Sequence, residues 1–176
     1  MMLRAIITSK AIDYFMFEIP DPLHPAVVHF PIVLVFLGTV FSFLAVFTRR
    51  AGLPQLTAVI LILGAGAAQF AIATGSDQVD PVLQRTPEAK PLIYRHAEMG
   101  LWTRNIAVAA ACSAVVALAF YKVRTFRRVM AFVTTVLAAG ACFFALQAAE
   151  RGAEMVYHHG VGIQIKPASP GTSPGG

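Results

Sequence analysis

Ala26-Val27-Val28-His29-Phe30-Pro31-Ile32-Val33-Leu34-Val35 opens a run that reaches Thr48 without a single charged residue. At about 1.5 Å per residue, such a run crosses the roughly 30 Å of a bilayer's hydrocarbon as one helix. Pro25, just ahead of it, suits a first helical turn, where a missing N–H would be unpaired anyway. Pro31 lies close enough to the start to bend the first turns rather than break the span. That bend would re-aim His24 and His29, which flank it.

The remaining chain repeats the theme. Arg49 and Arg50 close the first span, with Gly52 and Pro54 as the turn, and a second apolar run covers 56–74, rich in Gly and Ala that permit close helix approach. Gly75-Ser76-Asp77 reads as a helix C-cap leading into a polar loop up to Arg95. A third span covers 93–121, and its polar end, with Tyr94, His96, Glu98, Trp102 and Arg104, comes first. Lys122, Arg124, Arg127 and Arg128 form the next loop, and a fourth span covers 129–155 with its polar end last, before Tyr157-His158-His159-Gly160. No internal repeat stands out.

The expected fold is therefore all-α: an integral membrane four-helix bundle, up-down-up-down, over 22–162. Residues 1–21 are weakly amphipathic and are expected to form a short interfacial helix, without the apolar core and cleavage site of a signal peptide. The Pro, Gly and Ser-rich 163–176 is expected to be a disordered tail. In a chain of 176 residues that is 57% hydrophobic and 13% charged, the net charge of +5 marks loops rather than a nucleic-acid surface. Cys112 and Cys142 fall inside apolar runs and read as small buried hydrophobes.

The loops after spans one and three carry Arg49, Arg50, Lys122, Arg124, Arg127 and Arg128 and no acid. By the positive-inside rule this face is cytoplasmic, and the opposite face, which carries both termini of a multi-pass chain, is expected to look toward the periplasm or, with a single membrane, the extracellular side. All five histidines then gather at the periplasmic face.

His24 and His29 point roughly 140° apart on an ideal helix, so each needs partners on other helices: His96, and His158 or His159. Histidine pairs between helices are what a b-type haem takes, two imidazoles meeting the iron from opposite sides. Arg95, Arg104 and Arg151, with Tyr94 and Tyr157, could receive its propionates. Arg104, eight residues beyond His96, reads as lying on nearly the same stripe, roughly 12 Å deeper. Glu150, Glu154 or a propionate is its expected partner. Zinc or copper on the same imidazoles, completed by Glu98 or Asp21, is the second reading. Interfacial histidines that only cap helices are the third. Tyr94, Trp102 and Tyr157 also read as an aromatic belt.

His24-Pro25-Ala26-Val27-Val28-His29-Phe30-Pro31-Ile32, then His96-Ala97-Glu98-Met99-Gly100-Leu101-Trp102, then Gly152-Ala153-Glu154-Met155-Val156-Tyr157-His158-His159-Gly160-Val161-Gly162, resemble the bacterial membrane proteins of the domain-of-unknown-function 2231 family. The likeness extends over about 22–162. It implies a four-helix membrane protein and picks out His24, His29, His96 and His159, with His158 at a variable position and Ala153 in place of a glycine. The family supplies no activity. From residue types alone, the expectation is an electron-transfer subunit holding haem b, with His24, His29, His96, His159, Arg104 and Arg151 around the cofactor. Quinol or a redox partner protein would exchange electrons with it, in membrane lipid and as a candidate subunit of a larger membrane complex. A zinc- or copper-binding or purely structural subunit is the alternative, and no nucleophile–base pair suggests independent catalysis.

Overall fold

The computed structural model describes residues 22–48 and 52–163, so the expected interfacial helix at 1–21 and almost all of the expected tail lie outside the described residues. Four helices are long and apolar enough to cross a membrane. We label them α1 (His24–Phe47), α2 (Gly52–Arg85), α3 (Lys90–Ala119) and α4 (Arg124–His159). No strand occurs among the described residues.

α1 is two pieces, His24–Val27 and His29–Phe47, parted at Val28. Pro31 explains the interruption: its ring crowds the carbonyl of Val27 and it has no N–H to offer there. The span survives as expected, because the interruption is a single residue.

α2 departs from the sequence reading. It does not stop at Gly75 but runs on through Pro81 to Arg85, where Thr86 and a 3-10 turn, Pro87–Ala89, lead into α3. Gly75 serves a different purpose from a cap. The His24 ring lies against it so closely that a Cβ there would stand 2.9 Å from Cε1. Among described glycines only Gly160 and Gly162 take positive φ, and Gly160 closes α4 with φ of 64°. α4 likewise begins earlier than expected, so Arg124, Arg127 and Arg128 sit on its first turns rather than in a loop. Arg127 is buried, with a long 3.5 Å bond from Nη2 to the Thr48 carbonyl, while the buried Nε atoms of Arg127 and Arg128 have no partner.

Each helix packs mainly on its chain neighbours, and α4 closes the ring on α1, so α1 and α3 stand on one diagonal. The packed interior is made of small side chains: Ala58, Leu61, Ala110, Ala111, Ala114 and Ala138 in one cluster, Val35, Ala65, Ala107 and Ala141 in another. Phe30, Phe36, Phe43, Phe47, Phe132 and Phe143 face outward instead. In lipid no hydrophobic force drives helices together, so close approach of small residues and buried hydroxyl bonds must hold them. Thr134 donates to Ser113 at 2.9 Å and Thr135 to Ser42 at 3.1 Å, tying α4 to α3 and to α1. Cys112 corrects the sequence reading, being exposed, whereas Cys142 is half-buried beside Thr39.

The structure also reveals a repeat that the sequence conceals. The shift that carries His24 onto His96 carries Pro31, Val35, Gly38, Ser42 and Ala45 onto Thr103, Ala107, Ala110, Ala114 and Ala117, all of them buried. The shift that carries Ala71 onto Ala148 carries Pro54, Thr57, Leu61, Gly64 and Ala68 onto Ala131, Thr134, Ala138, Ala141 and Ala145, again all buried. α1–α2 and α3–α4 are thus two helical hairpins in the same packing register. Few identities survive because in an apolar medium the register constrains size rather than residue type.

Candidate histidine centre

His24 stands on the first turn of α1, half-buried. Its Nδ1 lies 2.9 Å from the Ala71 carbonyl of α2 and 3.3 Å from Thr74 Oγ1. A carbonyl only accepts, so Nδ1 carries the proton in the neutral ring and Nε2 keeps a free lone pair. The Thr74 hydroxyl is itself turned back onto the Ala71 carbonyl at 3.0 Å.

His96, on α3, repeats this one hairpin later. Its Nδ1 donates to the Ala148 carbonyl of α4 at 2.8 Å, which again leaves Nε2 as the open position. The two acceptors are equivalent in the repeat, and each stands four positions before a glycine that flanks the corresponding ring: Ala71 and Gly75, Ala148 and Gly152. The approach to Gly152 is looser, with a Cβ there 3.5 Å from His96 Cε1. Across the bundle diagonal the two ring centroids are 6.0 Å apart and the rings are nearly perpendicular, at 88°. Two imidazoles, each oriented by a backbone carbonyl one helix further on, are therefore held as a pair at one end of the bundle. Orientation of a ligating histidine through its other nitrogen is the usual device at metal sites.

The other expected site residues fall elsewhere. His29 is exposed on α1; His159 is half-buried at the last residue of α4, and His158 beside it is exposed. Arg151 bonds the Gln147 carbonyl of its own helix at 2.7 Å. Arg104 corrects the sequence reading: its partners are Gln69 on α2, at 2.7 Å, and Asn105, at 2.9 Å, rather than Glu150 or Glu154. Eight residues turn an ideal helix about 80° past two full turns, so His96 faces α4 while Arg104 faces α2. Tyr94, Trp102 and Tyr157 are exposed, as a belt would be, and Trp102 stacks on Phe144 with centroids 5.8 Å apart. Among the described residues no group of three or more His, Cys, Asp or Glu is placed to hold a metal ion.

Sequence reasoning did not find the carbonyls of Ala71 and Ala148, nor the glycines beneath the rings. A glycine inside a long helix was the available signal, and Gly75 was read as an end.

A family described as "Predicted membrane protein (DUF2231)" matches residues 20–165. No curated protein and no solved structure matches the chain.

Proposed function

We propose, from the premise that this chain belongs to the DUF2231 family of membrane proteins, that His24 and His96 would together hold one b-type haem in an electron-transfer subunit. The observation that carries this reading is the pair of open Nε2 atoms on rings 6.0 Å apart. Two imidazoles on opposite sides of one metal have centroids about 6 Å apart, given metal–nitrogen bonds of about 2 Å and the ring radii. Among the described residues the pair supplies two donors, a number that suits haem. Zinc sites use three or four protein ligands, whereas haem iron takes its other four from the porphyrin and needs only two axial donors.

The protein's own share in this reading is positional. The Ala71 and Ala148 carbonyls fix the tautomers, and Gly75 and Gly152 let the rings sit against α2 and α4. Bound there, the haem would supply a one-electron couple. The end of the bundle with Arg124, Arg127 and Arg128 would be cytoplasmic by the positive-inside rule, with the histidine pair then on the periplasmic side of a bacterial inner membrane. Membrane quinol or a periplasmic carrier and a partner protein are the natural donor and acceptor.

The test is an absorption spectrum of detergent-purified protein, oxidised and then reduced, with metal analysis of the same sample. A Soret band and a sharp reduced α-band are expected in wild type and His29→Ala, and both are lost in His24→Ala and His96→Ala. A colourless protein from haem-sufficient cells would overturn the reading, as would full haem retention in both axial variants.

A further inference from the structure

One lipid-facing groove is built differently from its counterpart in the repeat. Between α2 and α3 lies a groove of about 510 Å³ lined by Ala65, Gly66, Gln69, Arg104, Asn105 and Val108. The repeat relates it to the junction of α4 and α1, where Gly66 becomes Phe143, Gln69 becomes Leu146, Arg104 becomes Ile32 and Asn105 becomes Val33. Those four are all exposed, large and apolar, as a surface against lipid tails should be. The two hairpins share their buried register, so helix packing does not demand the polar set. An arginine and two amides within apolar spans are costly and mark a function.

The hydrogen bonds define the ligand. Arg104 has only donors, and it spends two of them on Gln69 Oε1 and Asn105 Oδ1. Each amide oxygen is thereby engaged by the guanidinium, and both amide nitrogens remain. What the groove offers is mainly N–H groups, around a guanidinium that no carboxylate of the described residues neutralises. A matching ligand is rich in acceptors and negatively charged. A zwitterionic headgroup would bring a second cation beside that guanidinium, with no carboxylate of the described residues to pair it. No side chain occupies the space above Gly66, where a Cβ would meet nothing within 4 Å, so an acyl chain can lie along the helix there.

We infer that this groove binds the phosphodiester of an anionic phospholipid, with Arg104, Gln69 and Asn105 as donors and Gly66 beneath the acyl chain. Arginine is the residue suited to several simultaneous bonds to phosphate.

The test is native mass spectrometry of the delipidated full chain titrated with phosphatidylglycerol or phosphatidylcholine. Wild type is expected to bind one phosphatidylglycerol at least about fivefold more tightly than phosphatidylcholine, the scale of one basic residue near a membrane surface. Arg104→Gln and Gly66→Leu should each abolish the preference. Gly66→Leu extends into open space and should keep the wild-type thermal transition, and Phe143→Ala, at the counterpart position, should leave the preference intact. Equal binding of the two lipids would overturn the assignment, as would wild-type preference in both groove variants or displacement of the lipid by a short-chain quinone. The readout is independent of colour, so this inference and the haem reading fail separately.

Discussion

The carbonyl of Ala71 accepts from His24 Nδ1 at 2.9 Å, and the same helix presents Gly75 one turn later to the face of that ring. One side chain is thus held by a bond on one edge and by van der Waals contact on another. The equivalent contact at Gly152 has more room, 3.5 Å against 2.9 Å, so the two halves of the pair should respond differently to the same substitution. Gly75→Ala must displace the His24 ring, whereas Gly152→Ala makes an ordinary contact. Haem affinity is expected to fall about tenfold or more in Gly75→Ala, the scale seen when a ligand's orienting partner is lost, and to change little in Gly152→Ala. Haem titration of the two apoproteins measures it, and equal losses would show that the glycines do not position the rings.

Replacing His96 by Gln separates bonding from ligation. A glutamine amide can still donate to the Ala148 carbonyl that His96 now engages at 2.8 Å, but it offers no imidazole nitrogen. His96→Gln is expected to keep a thermal midpoint nearer wild type than His96→Ala, while both lose the haem spectrum. If the glutamine variant were as destabilised as the alanine one, the Ala148 bond would not be holding α3 to α4.

The bundle was legible because apolar run length and loop charge are carried by composition, which lipid constrains directly. His24 and His96 were legible for a related reason: polar residues at the ends of apolar runs are conspicuous. Their carbonyl acceptors were not, since Ala71 and Ala148 differ in no way from other alanines until the helices are docked. Gly75 misled because a glycine before polar residues looks like a cap, and only the His24 ring shows why it sits within α2. The partner of Arg104 was missed through a rotation error of about 80° over eight residues. The repeat escaped notice because its halves share buried positions without sharing side chains.

Gly38 faces Leu61, which is fully buried, and a Cβ at Gly38 would overlap the leucine side chain. Leu61 has no free space to retreat into at the α1–α2 junction. Gly38→Ala is expected to destabilise the bundle by about 1–3 kcal/mol, the usual cost of an added methyl in a packed core. Gly66→Ala, which meets nothing, should cost little. Reversible unfolding in mixed micelles compares them. Restoration by Gly38→Ala combined with Leu61→Ala would identify the clash as the cause, and a neutral single variant would show that the junction has room for the methyl.

The hydroxyl bonds near the arginine end give the last expectation, because they test what holds the helices laterally. Thr134 gives its proton to Ser113 at 2.9 Å, yet it also lies 2.8 Å from the Met130 carbonyl of its own helix. One hydroxyl proton cannot serve both fully, and an isolated α4 would satisfy the threonine through Met130 alone. The interhelical bond therefore adds only the difference between two satisfied states, which in membrane proteins averages about 0.6 kcal/mol. A double-mutant cycle over Ser113→Ala and Thr134→Val should return a coupling of about that size. A coupling near 2 kcal/mol would mean that Met130 is no real competitor and that hydroxyl bonds rather than Ala and Gly contacts dominate the packing. A coupling of zero would leave the small residues of α3 and α4, with the His96–Ala148 bond, as the lateral attraction.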